Sequence, residues 1–436
     1  MRKFLGLLEK RGELRNVAAR VDPRYEISAY LALNGAGPAL RFASVAGSRM
    51  NVVGNLLCSR ERIALGLGTT VGELQRKIAA AIDAPRAPRR VERAPCQEVI
   101  VERPDLAALP IPTFFEDETG PYITAGIIAA RDPETGAANL SYARLKPLGG
   151  NRAFIGIAPN HHLAMMARRA GELPIAVTLG NSPAVMIAAA LYLGFGEDEM
   201  RVADALHGEG LPVAHSKSAG ILVPAQCEIV LEGKIRTKET VEEGPVSEYH
   251  GMYERYGTGY VVEFSHLTHR RDAILQVIQP GYYPEHVWIG GEAIAAGLFR
   301  KLGASLPNLN AVAITPGGAG RLHAVVALAN AKEGEANRTI RAVWEEVNLV
   351  KQVTVVDGDV DPWNATHVEW AVATRMRADR DLLVEPGMPT NRSEPLANQS
   401  RVAKLGIDAT KKPGDRDWRL AEPPADVMAR VRRRPT

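Results

Sequence analysis

Six prolines between residues 84 and 112 constrain this chain more than any other local feature, because they exclude a continuous helix through that stretch. Apart from a strand-like EVIVE at 98–102, the sequence between these prolines has no regular pattern. Such a segment is typical of a connection between folded units. The chain of 436 residues is also about two to three times the size of a typical domain. We therefore predict two or three domains, with a boundary in this proline-rich segment.

Hydrophobic patterning differs on the two sides of the proline-rich segment. Leucines spaced among charged residues near the N-terminus, together with a helical pattern over 71–82, predict a small α/β unit. The middle of the chain has short β-rich runs separated by the turn sequences DPETG and GGN, which predict an antiparallel meander forming a barrel or sandwich. From about residue 290, longer helices alternate with buried strands, as in an α/β unit. The predicted domains are 1–95, 96–290 and 291–436. The β-rich runs lie at 122–131, 139–145, 152–159, 227–236 and 260–278, and helical insertions are predicted at 160–169 and 184–191.

Charge balance and cysteine content argue against several classes of protein. Lys and Arg total 53 against 50 Asp and Glu, so the net charge of +3 gives no strong field for a nucleic acid or an anionic membrane. Cys58, Cys96 and Cys227 fit neither a zinc pair nor a disulfide framework, which favours a reducing cytoplasm. The N-terminus is unlike a signal peptide, and the longest apolar run, 184–196, is too short to cross a bilayer. We expect a folded cytoplasmic protein with neither a nucleic-acid nor a membrane partner.

Polar residues inside apolar or turn-forming segments are the remaining candidates for chemistry, because the chain has no GxxxxGK[ST], HExxH, GxSxG or strand-linked GxGxxG motif. Asn139 and Ser141 share one face of a predicted strand, His161 stands at a strand-to-helix junction, and Glu199 begins another helix. Taken singly, a half-exposed strand, a capped helix and an acid that complements the helix dipole explain them. Taken together, Asn139, His161 and Glu199 form a mixed N/O set suited to Mg²⁺ or Mn²⁺ rather than Zn²⁺.

The segment VEEGPVSEYHG places two glutamates on either side of a Gly-Pro bend. Glu243 and Glu248 can therefore be held near each other without helical periodicity. Crowding of two carboxylates raises the pKa of one of them, while an arginine such as Arg144 keeps the other ionised. The raised pKa would suit a general acid, although a solvated acidic loop also explains the segment when it is considered alone.

The order and composition of these segments resemble the UbiD-like family of decarboxylases, which use prenylated flavin mononucleotide (prenylated FMN). The matching pieces span roughly residues 122–410 in the family's order, and they include ITAG, NLSYAR, APNHH, PAVMIAAAL, GEDEMRVADALHG, CEIVLEG, EEGPVSEYHG and KLGIDAT. The resemblance implies an α/β (α+β) fold, with a central flavin-binding split β-barrel between N-terminal and C-terminal α/β domains. The C-terminal domain of such proteins usually mediates oligomerisation.

The resemblance also implies roles for individual residues. The divalent metal, Mn²⁺ or Mg²⁺, would be bound by Asn139, His161 and Glu199, and the catalytic Glu-Arg-Glu network would consist of Arg144, Glu243 and Glu248. Some relatives have a serine that helps to bind K⁺ where this chain has Ala189, so K⁺ would depend on backbone carbonyls here. The implied cofactor contacts, with Lys404 on the phosphate, are Thr124, Ser141, Tyr142, Ala143, Arg144, Asn160, His161, Ala189, Leu191 and Lys404.

The expected reaction is reversible, non-oxidative decarboxylation of an α,β-unsaturated, aromatic or heteroaromatic acid. Arg144 would orient the substrate carboxylate, and Glu248 would protonate the carbon that loses CO₂ while Glu243 holds Arg144. The predicted substrate-binding residues favour furan-2,5-dicarboxylate or pyrrole-2-carboxylate over cinnamate-type acids. Arg300, Arg321 and His323 among them would suit a second carboxylate. The alternative for two of them is structural, with Arg321 capping a helix and His323 satisfied in the core. The predicted substrate-binding residues are Trp288, Ile289, Arg300, Arg321 and His323.

Two functions from other classes remain open. A flavin reductase-like FMN oxidoreductase would share the split barrel but would need a nicotinamide site, for which the sequence has no motif. A non-catalytic accessory subunit of a carboxylase complex would have lost the Glu-Arg-Glu set, which is complete here. The expected partners are a small aromatic or heteroaromatic acid, a flavin prenyltransferase that supplies the cofactor, and further copies of the chain in a dimer or hexamer.

Overall fold

The computed structural model describes residues 1–412, 414 and 421–434, which form a mixed α/β fold with several sheets. The expected fold class is therefore confirmed. None of the helices in the described ranges has both the length and the apolar character needed to span a membrane.

The N-terminal unit is a small sheet covered by helices, as its leucine pattern predicts. Strand β1 pairs in parallel with β2, and β2 pairs antiparallel with β3. The helix α3 begins after Ser59, whose side chain accepts a hydrogen bond from the Arg62 N–H and so caps the helix. The elements of this unit are α1 (Arg2–Lys10), β1 (Leu14–Val17), α2 (Glu26–Asn34), β2 (Ala39–Phe42), β3 (Asn51–Gly54), α3 (Arg60–Gly66) and α4 (Leu74–Asp83).

The central unit is built on one eight-stranded antiparallel sheet. Along the sheet the strands follow the order β7-β6-β10-β13-β16-β9-β8, and β5 also pairs with β16. The elements are β4 (Arg89–Arg90), β5 (Val99–Glu102), β6 (Ile127–Arg131), β7 (Ala138–Tyr142), β8 (Arg144–Gly149), β9 (Arg152–Gly156), α5 (His162–Ala170), β10 (Glu172–Leu179), α6 (Pro183–Ala188), α7 (Glu199–His207), β11 (Pro212–His215), β12 (Leu222–Pro224), β13 (Ile229–Glu242), β14 (Val246–Ser247), β15 (Tyr253–Glu254), β16 (Thr258–His269) and β17 (Ile274–Gln276).

The two edge strands of the central sheet are consecutive in the chain, separated only by Ala143. Both edges must therefore meet at this residue, so the sheet curls back on itself in the manner of the expected split barrel. A bridge between Ile123 and Leu145 strengthens this junction. Strand β17 follows β16 in the chain but belongs to the N-terminal sheet, where it pairs in parallel with β3, and this ties the central unit to the N-terminal unit.

The C-terminal unit is a five-stranded mixed sheet with helices on both faces. Its strand order is β18-β19-β20-β22-β21, and alternate strand residues such as Val326 and Val325 belong to the hydrophobic clusters of opposite faces. Position 290, the predicted domain boundary, lies inside α8, whose buried residues join the central core to this sheet. The elements are α8 (Pro284–Gly303), β18 (Leu309–Ile314), β19 (His323–Leu328), α9 (Glu335–Glu346), β20 (Gln352–Asp357), α10 (Ala365–Arg375), β21 (Leu382–Pro389), β22 (Arg401–Ala409) and α11 (Ala425–Arg432).

Candidate active site

Arg144 and Glu243 form a two-pronged ion pair where the edges of the central sheet meet. Arg144 is the first residue of β8, and Glu243 directly follows β13. The Nε and Nη2 atoms of Arg144 donate to the two carboxylate oxygens of Glu243 at 2.5 Å and 2.7 Å. The Glu243 side chain is buried, and Arg144 is its ion-pair partner. Nη1 of Arg144 makes no hydrogen bond within the described chain and remains available for a ligand.

The backbone of Glu243 is fixed by a second cation. Lys146 lies two residues beyond Arg144 on β8, hence on the same face of the strand. Its ammonium donates to the backbone carbonyl of Glu243 and, at 2.8 Å, to the hydroxyl of Thr119. Burial lowers the pKa of Lys146, while the Glu243 carboxylate acts to raise it. Arg144 thus holds the side chain of Glu243 and Lys146 holds its main chain.

Glu248 lies on the short hairpin of β14 and β15. Its carboxylate accepts the Tyr256 hydroxyl at 2.7 Å and the backbone N–H of Tyr249 at 2.9 Å. Buried Glu118 anchors this hairpin by accepting the backbone N–H of Ser247 at 3.4 Å. Within the described residues, no hydrogen bond joins Glu248 directly to Arg144.

The expectation of a raised carboxylate pKa is not met by Glu248. Burial acts to raise the pKa of Glu248, but the Arg144 charge and the hydrogen bonds from Tyr256 and Tyr249 hold it below its ordinary value. The cause is that the positive charge of Arg144 is felt by both carboxylates rather than by Glu243 alone. A ligand that brings negative charge to Arg144 would weaken this effect.

The predicted metal set is only partly assembled. The Asn139 amide lies 3.4 Å from the Glu199 carboxylate, which also accepts the backbone N–H of Leu140 at 2.9 Å. Burial raises the pKa of Glu199 to about 7. His161 precedes α5, and its side chain makes no hydrogen bond to this pair in the described ranges. Burial lowers the pKa of His161, and the charges of His162 and Arg392 lower it further.

The other predicted cofactor residues make hydrogen bonds in several parts of the chain. Thr124 accepts the backbone N–H of Ile278 at 3.2 Å, and Ser141 donates to the Asn139 amide oxygen at 3.3 Å. Lys404 is buried in the C-terminal unit, where it donates to the backbone carbonyl of Asn348 at 2.7 Å. Burial lowers the pKa of Lys404 to about 8. The remaining predicted positions comprise Tyr142, whose hydroxyl contacts the Met186 carbonyl, the buried Ala143, Ala189 and Leu191, and the exposed Asn160.

Two of the predicted substrate residues lie elsewhere than expected. Arg300 pairs with Asp83 on the surface, and it stands about 18 Å along α8 from Trp288, given 1.5 Å per helical residue. His323 contacts the hydroxyls of Thr315 and Thr354 at 3.2 and 3.0 Å, which agrees with the structural alternative for this residue. The structure therefore does not place Arg300 with the catalytic side chains.

Arg321 does reach the region of Glu248, and its side chain donates to the backbone carbonyl of Gly320, which belongs to none of the described helices. Its guanidinium centre lies 5.8 Å from the Tyr249 ring. The guanidinium also packs on Gly290 of α8, where a Cβ would lie 1.9 Å from its nitrogens. The apolar pair at this end of α8 consists of Ile289, which is buried in the main core, and Trp288, which packs partly against it.

Sequence reasoning missed two groups that contact the catalytic residues, and a third, Arg392, that contacts one of those two. Tyr256 binds Glu248, Lys146 binds the main chain of Glu243, and the Arg392 guanidinium lies 4.6 Å from the Tyr256 ring. The alternation along β8 offered a signal for Lys146, since it shares a face with Arg144. The proximity of Tyr256 and Arg392 depends on loops from two different units, and no local pattern predicts it.

Three family models cover nearly the whole chain. They describe the N-terminal, Rift-related and C-terminal domains of 3-octaprenyl-4-hydroxybenzoate carboxy-lyase (UbiD), and they match residues 5–82, 89–283 and 287–409. The matched ranges include every member of the Arg144–Glu243–Glu248 network.

Similar proteins are decarboxylases of the same class. The anhydromevalonate phosphate decarboxylase of Methanosarcina mazei is 35% identical over 94% of this chain and 96% of its own. The structure of the UbiD-class enzyme HmfF from Pelotomaculum thermopropionicum in complex with FMN is 37% identical, covers 99% of both chains and has a TM-score of 0.94. The vanillic acid decarboxylase of Sedimentibacter hydroxybenzoicus is 26% identical over 99% of this chain and 97% of its own, with a TM-score of 0.90. This chain belongs to the UbiD family of decarboxylases.

Proposed function

We propose that this protein catalyses the non-oxidative decarboxylation of an unsaturated, aromatic or heteroaromatic carboxylic acid with prenylated FMN, and that Arg144, Glu243 and Glu248 carry the reaction. The observation that supports this most is the free Nη1 of Arg144. Glu243 fixes the arginine through its other two nitrogens, and Glu248 lies close enough for the Arg144 charge to lower its pKa. A carboxylate can be bound at Nη1 while a second acid stands beside it.

The residues present fit the implied metal and cofactor in their donor chemistry. Asn139 and Glu199 contribute an amide and a buried carboxylate, which are ligands suited to a hard divalent cation such as Mn²⁺ or Mg²⁺. Asn181 and Ser182, just before α6, each carry a buried side-chain oxygen without a partner in the described chain. Asn139, His161 and Glu199 would hold the metal, and the metal would anchor the cofactor phosphate.

In this mechanism the protein side chains bind the substrate and move one proton. When bound, the prenylated FMN supplies the electron sink for loss of CO₂. Arg144 binds the scissile carboxylate through Nη1. The added negative charge offsets the Arg144 charge that lowers the pKa of Glu248, so this pKa rises and Glu248 takes up a proton. The bond from carbon to the carboxyl group breaks, and Glu248 gives its proton to that carbon to form a C–H bond. This transfer returns Glu248 to its ionised state, so each turnover consumes the one proton that Glu248 takes up when the substrate binds.

Two substrate classes have specific support. Arg321, beside Tyr249 and without a carboxylate partner in the described residues, suits the second carboxylate of a diacid such as furan-2,5-dicarboxylate. Pyrrole-2-carboxylate would use the same apolar wall of Trp288 and Ile289. The curated relatives of Methanosarcina mazei and Aeropyrum pernix, each 35% identical, are named for an acid that bears a phosphate, and this favours a phosphorylated unsaturated acid as a second candidate.

Self-association is part of the proposal. Strand β21 is an edge strand of the C-terminal sheet, and Leu382, Val384 and the nearby Leu396 are exposed there. An exposed apolar edge of this kind favours pairing with another chain. A homo-oligomer would cover it.

The deciding experiment is mass spectrometry of the ligand released from protein produced together with a flavin prenyltransferase and supplied with manganese. We expect near-stoichiometric prenylated FMN and CO₂ release from at least one acid of the proposed classes. Folded protein that carries plain FMN, or no flavin, would contradict the proposal. Bleaching of the flavin by NAD(P)H would favour the oxidoreductase instead.

The metal assignment is tested by Glu199→Ala and Asn139→Ala. Both variants should lose flavin, because the cation that anchors the phosphate would lose a ligand. Glu197→Ala is the matched control, since Glu197 is an exposed acid just before α7. The measurement is flavin absorbance per protein, with circular dichroism to verify folding. A full complement of flavin and metal in both variants would disprove the site.

A further inference from the structure

Arg392 is a residue of the C-terminal unit that reaches the catalytic residues of the central unit. It lies in the loop between β21 and β22, and its guanidinium centre is 4.6 Å from the ring of Tyr256. The hydroxyl of that tyrosine donates to Glu248 at 2.7 Å. One aromatic ring therefore separates Arg392 from the proposed proton donor.

The loop that carries Arg392 is anchored on both sides of it. The backbone carbonyl of Ser393 accepts the hydroxyl of Tyr249 at 3.0 Å, and the Asn391 side chain accepts the Ser393 N–H at 3.2 Å. The buried carboxylate of Glu394 pairs with Lys351 at 2.8 Å. The neighbours of Arg392 thus fix the loop against the residue that follows Glu248, while the arginine itself is exposed and reaches over Tyr256.

Arg392 has no ion pair within the described ranges, and its acidic neighbours are engaged elsewhere. Glu394 is bound to Lys351, and Glu248 is bound by Tyr256 and Tyr249. The Arg144 charge is already matched by Glu243. A ligand with a single carboxylate on Arg144 would leave Arg392 without a counter-ion. A planar guanidinium that stacks on an aromatic ring but has no acidic partner is suited to a carboxylate or a phosphate.

We propose that Arg392 binds a second anionic group of the substrate, at the end remote from the scissile carboxylate, and so makes the enzyme selective for dianionic acids. This inference rests on the proposed function, because it assigns the substrate class of the same site. Both candidate anions, a carboxylate on the ring or a phosphate ester, offer the oxyanion that the guanidinium recognises. Arg321, whose guanidinium centre lies 5.8 Å from the Tyr249 ring, is a second cation of this region without a carboxylate partner in the described residues.

The test compares two acids that differ by one carboxylate, in holoenzyme loaded with prenylated FMN. We expect Arg392→Gln to lower kcat/KM for furan-2,5-dicarboxylate by about 10-fold, mainly through KM, and to leave furan-2-carboxylate nearly unchanged. Arg392→Lys should restore part of the loss, because it keeps the charge without the planar fork. Arg338→Gln, which removes an exposed arginine of α9, is the matched control. Anhydromevalonate phosphate, tested in parallel, distinguishes phosphate from carboxylate as the preferred anion.

Several results would overturn the inference. An equal loss for the monoacid and the diacid would mean that Arg392 acts on the scissile carboxylate or on the fold. A loss of flavin content would mean that it binds the cofactor phosphate near His161 instead. If the wild-type holoenzyme decarboxylates none of these acids, the proposed function fails. Isothermal titration of the two furan acids into wild-type and Arg392→Gln holoenzyme then still measures whether Arg392 selects the dianion.

Discussion

Two arginines in this protein each face a pair of acidic side chains, but the two clusters use the arginine differently. Arg375 donates from Nη1 to Asp357 at 2.9 Å, and from Nη1 and Nη2 to Asp359 at 3.0 and 2.9 Å. Arg144 binds one carboxylate, Glu243, through two nitrogens. The first arginine is shared between both acids, whereas the second leaves one acid and one nitrogen available.

This difference separates a structural cluster from a catalytic one. Lys411 adds to the Arg375 cluster by donating its backbone N–H to Asp357 and its ammonium to Asp359, so the carboxylates are well supplied with donors. In the Arg144 cluster, Glu248 accepts hydrogen bonds only from a tyrosine hydroxyl and one backbone N–H among the described residues. Both donors are neutral, so the pKa of Glu248 remains sensitive to the charge at Arg144. The two clusters have the same numbers of acids and arginines, and they differ in how many hydrogen-bond donors each carboxylate has and in whether those donors are charged.

Replacement of the proton donor should produce the largest effect. Glu248→Gln keeps the shape of the side chain but removes the acid, so we expect turnover to fall by roughly 10²- to 10⁴-fold. Flavin content and the free energy of unfolding should stay close to wild type. Glu242→Gln, which changes an exposed neighbour at the end of β13, is the control. Decarboxylation by Glu248→Gln at the wild-type rate would refute the assigned role.

The opposite result is expected for the structural cluster. Arg375→Met leaves two acidic side chains facing each other in a largely buried site, and we expect a loss of about 3 kcal/mol in the free energy of unfolding. Turnover per folded molecule should be retained. Chemical denaturation and steady-state assays at 25 °C measure the two quantities. Arg380→Met, which breaks only an exposed pair with Asp379, should cost less than about 1 kcal/mol. A catalytic defect without destabilisation in Arg375→Met would invalidate the distinction.

The fold was predictable from sequence where it follows local hydrophobic patterns, and less so where it depends on contacts between residues distant in the chain. The β-rich runs and the change near residue 290 follow from periodicity, and the sheets agree with them. Helix α8 begins at Pro284, a helix-start signal, and continues through Gly290 and Gly291, so the change of pattern predicted near residue 290 falls inside this helix. The structure explains Gly290 by the guanidinium of Arg321, which occupies the space of a Cβ.

The residues of the site were predictable only where the motifs of a known family connect them. Arg144 and Glu243 are 99 positions apart, and periodicity does not join them; the family resemblance does. Tyr256 and Arg392 were not predicted as site residues, because their contacts arise between loops of different units. Arg300 pairs with Asp83, because the length of α8 places it about 18 Å from Trp288, and no local pattern in the sequence indicates this pair.

The pH dependence of the catalytic cluster gives a smaller, directional test. The Tyr256 hydroxyl helps to keep Glu248 ionised, so Tyr256→Phe should raise the pKa of Glu248. A required acid is lost as pH rises, and the descending limb of kcat/KM should therefore move to higher pH in this variant. A few-fold gain relative to wild type is expected on the alkaline side. Tyr253→Phe is the control, because its hydroxyl accepts the backbone N–H of Asp117 and does not bind Glu248. An unchanged limb in Tyr256→Phe would argue against Glu248 as the titrating acid.

Acid titration of the structural cluster should have the smallest effect. Burial acts to raise the pKa of Asp359, but hydrogen bonds from Arg375 and Lys411 lower it to about 2. Since the pKa is below the ordinary value of 3.8, the stabilisation is present above that pH and is lost as the pH falls towards about 2.

The size of this effect is limited by exposure and by the neighbouring acid. The Asp359 side chain is 35% exposed, so solvent screening reduces its contribution to about 1 kcal/mol. Burial raises the pKa of Asp357, which opposes the trend. Denaturation curves at pH 5 and pH 2.5 should show that the difference in the free energy of unfolding between wild type and Arg375→Met becomes smaller as the pH falls. A gap that stays constant would mean that Arg375 stabilises the unit by packing on Trp370, whose ring lies 4.8 Å from its guanidinium, rather than by its charge.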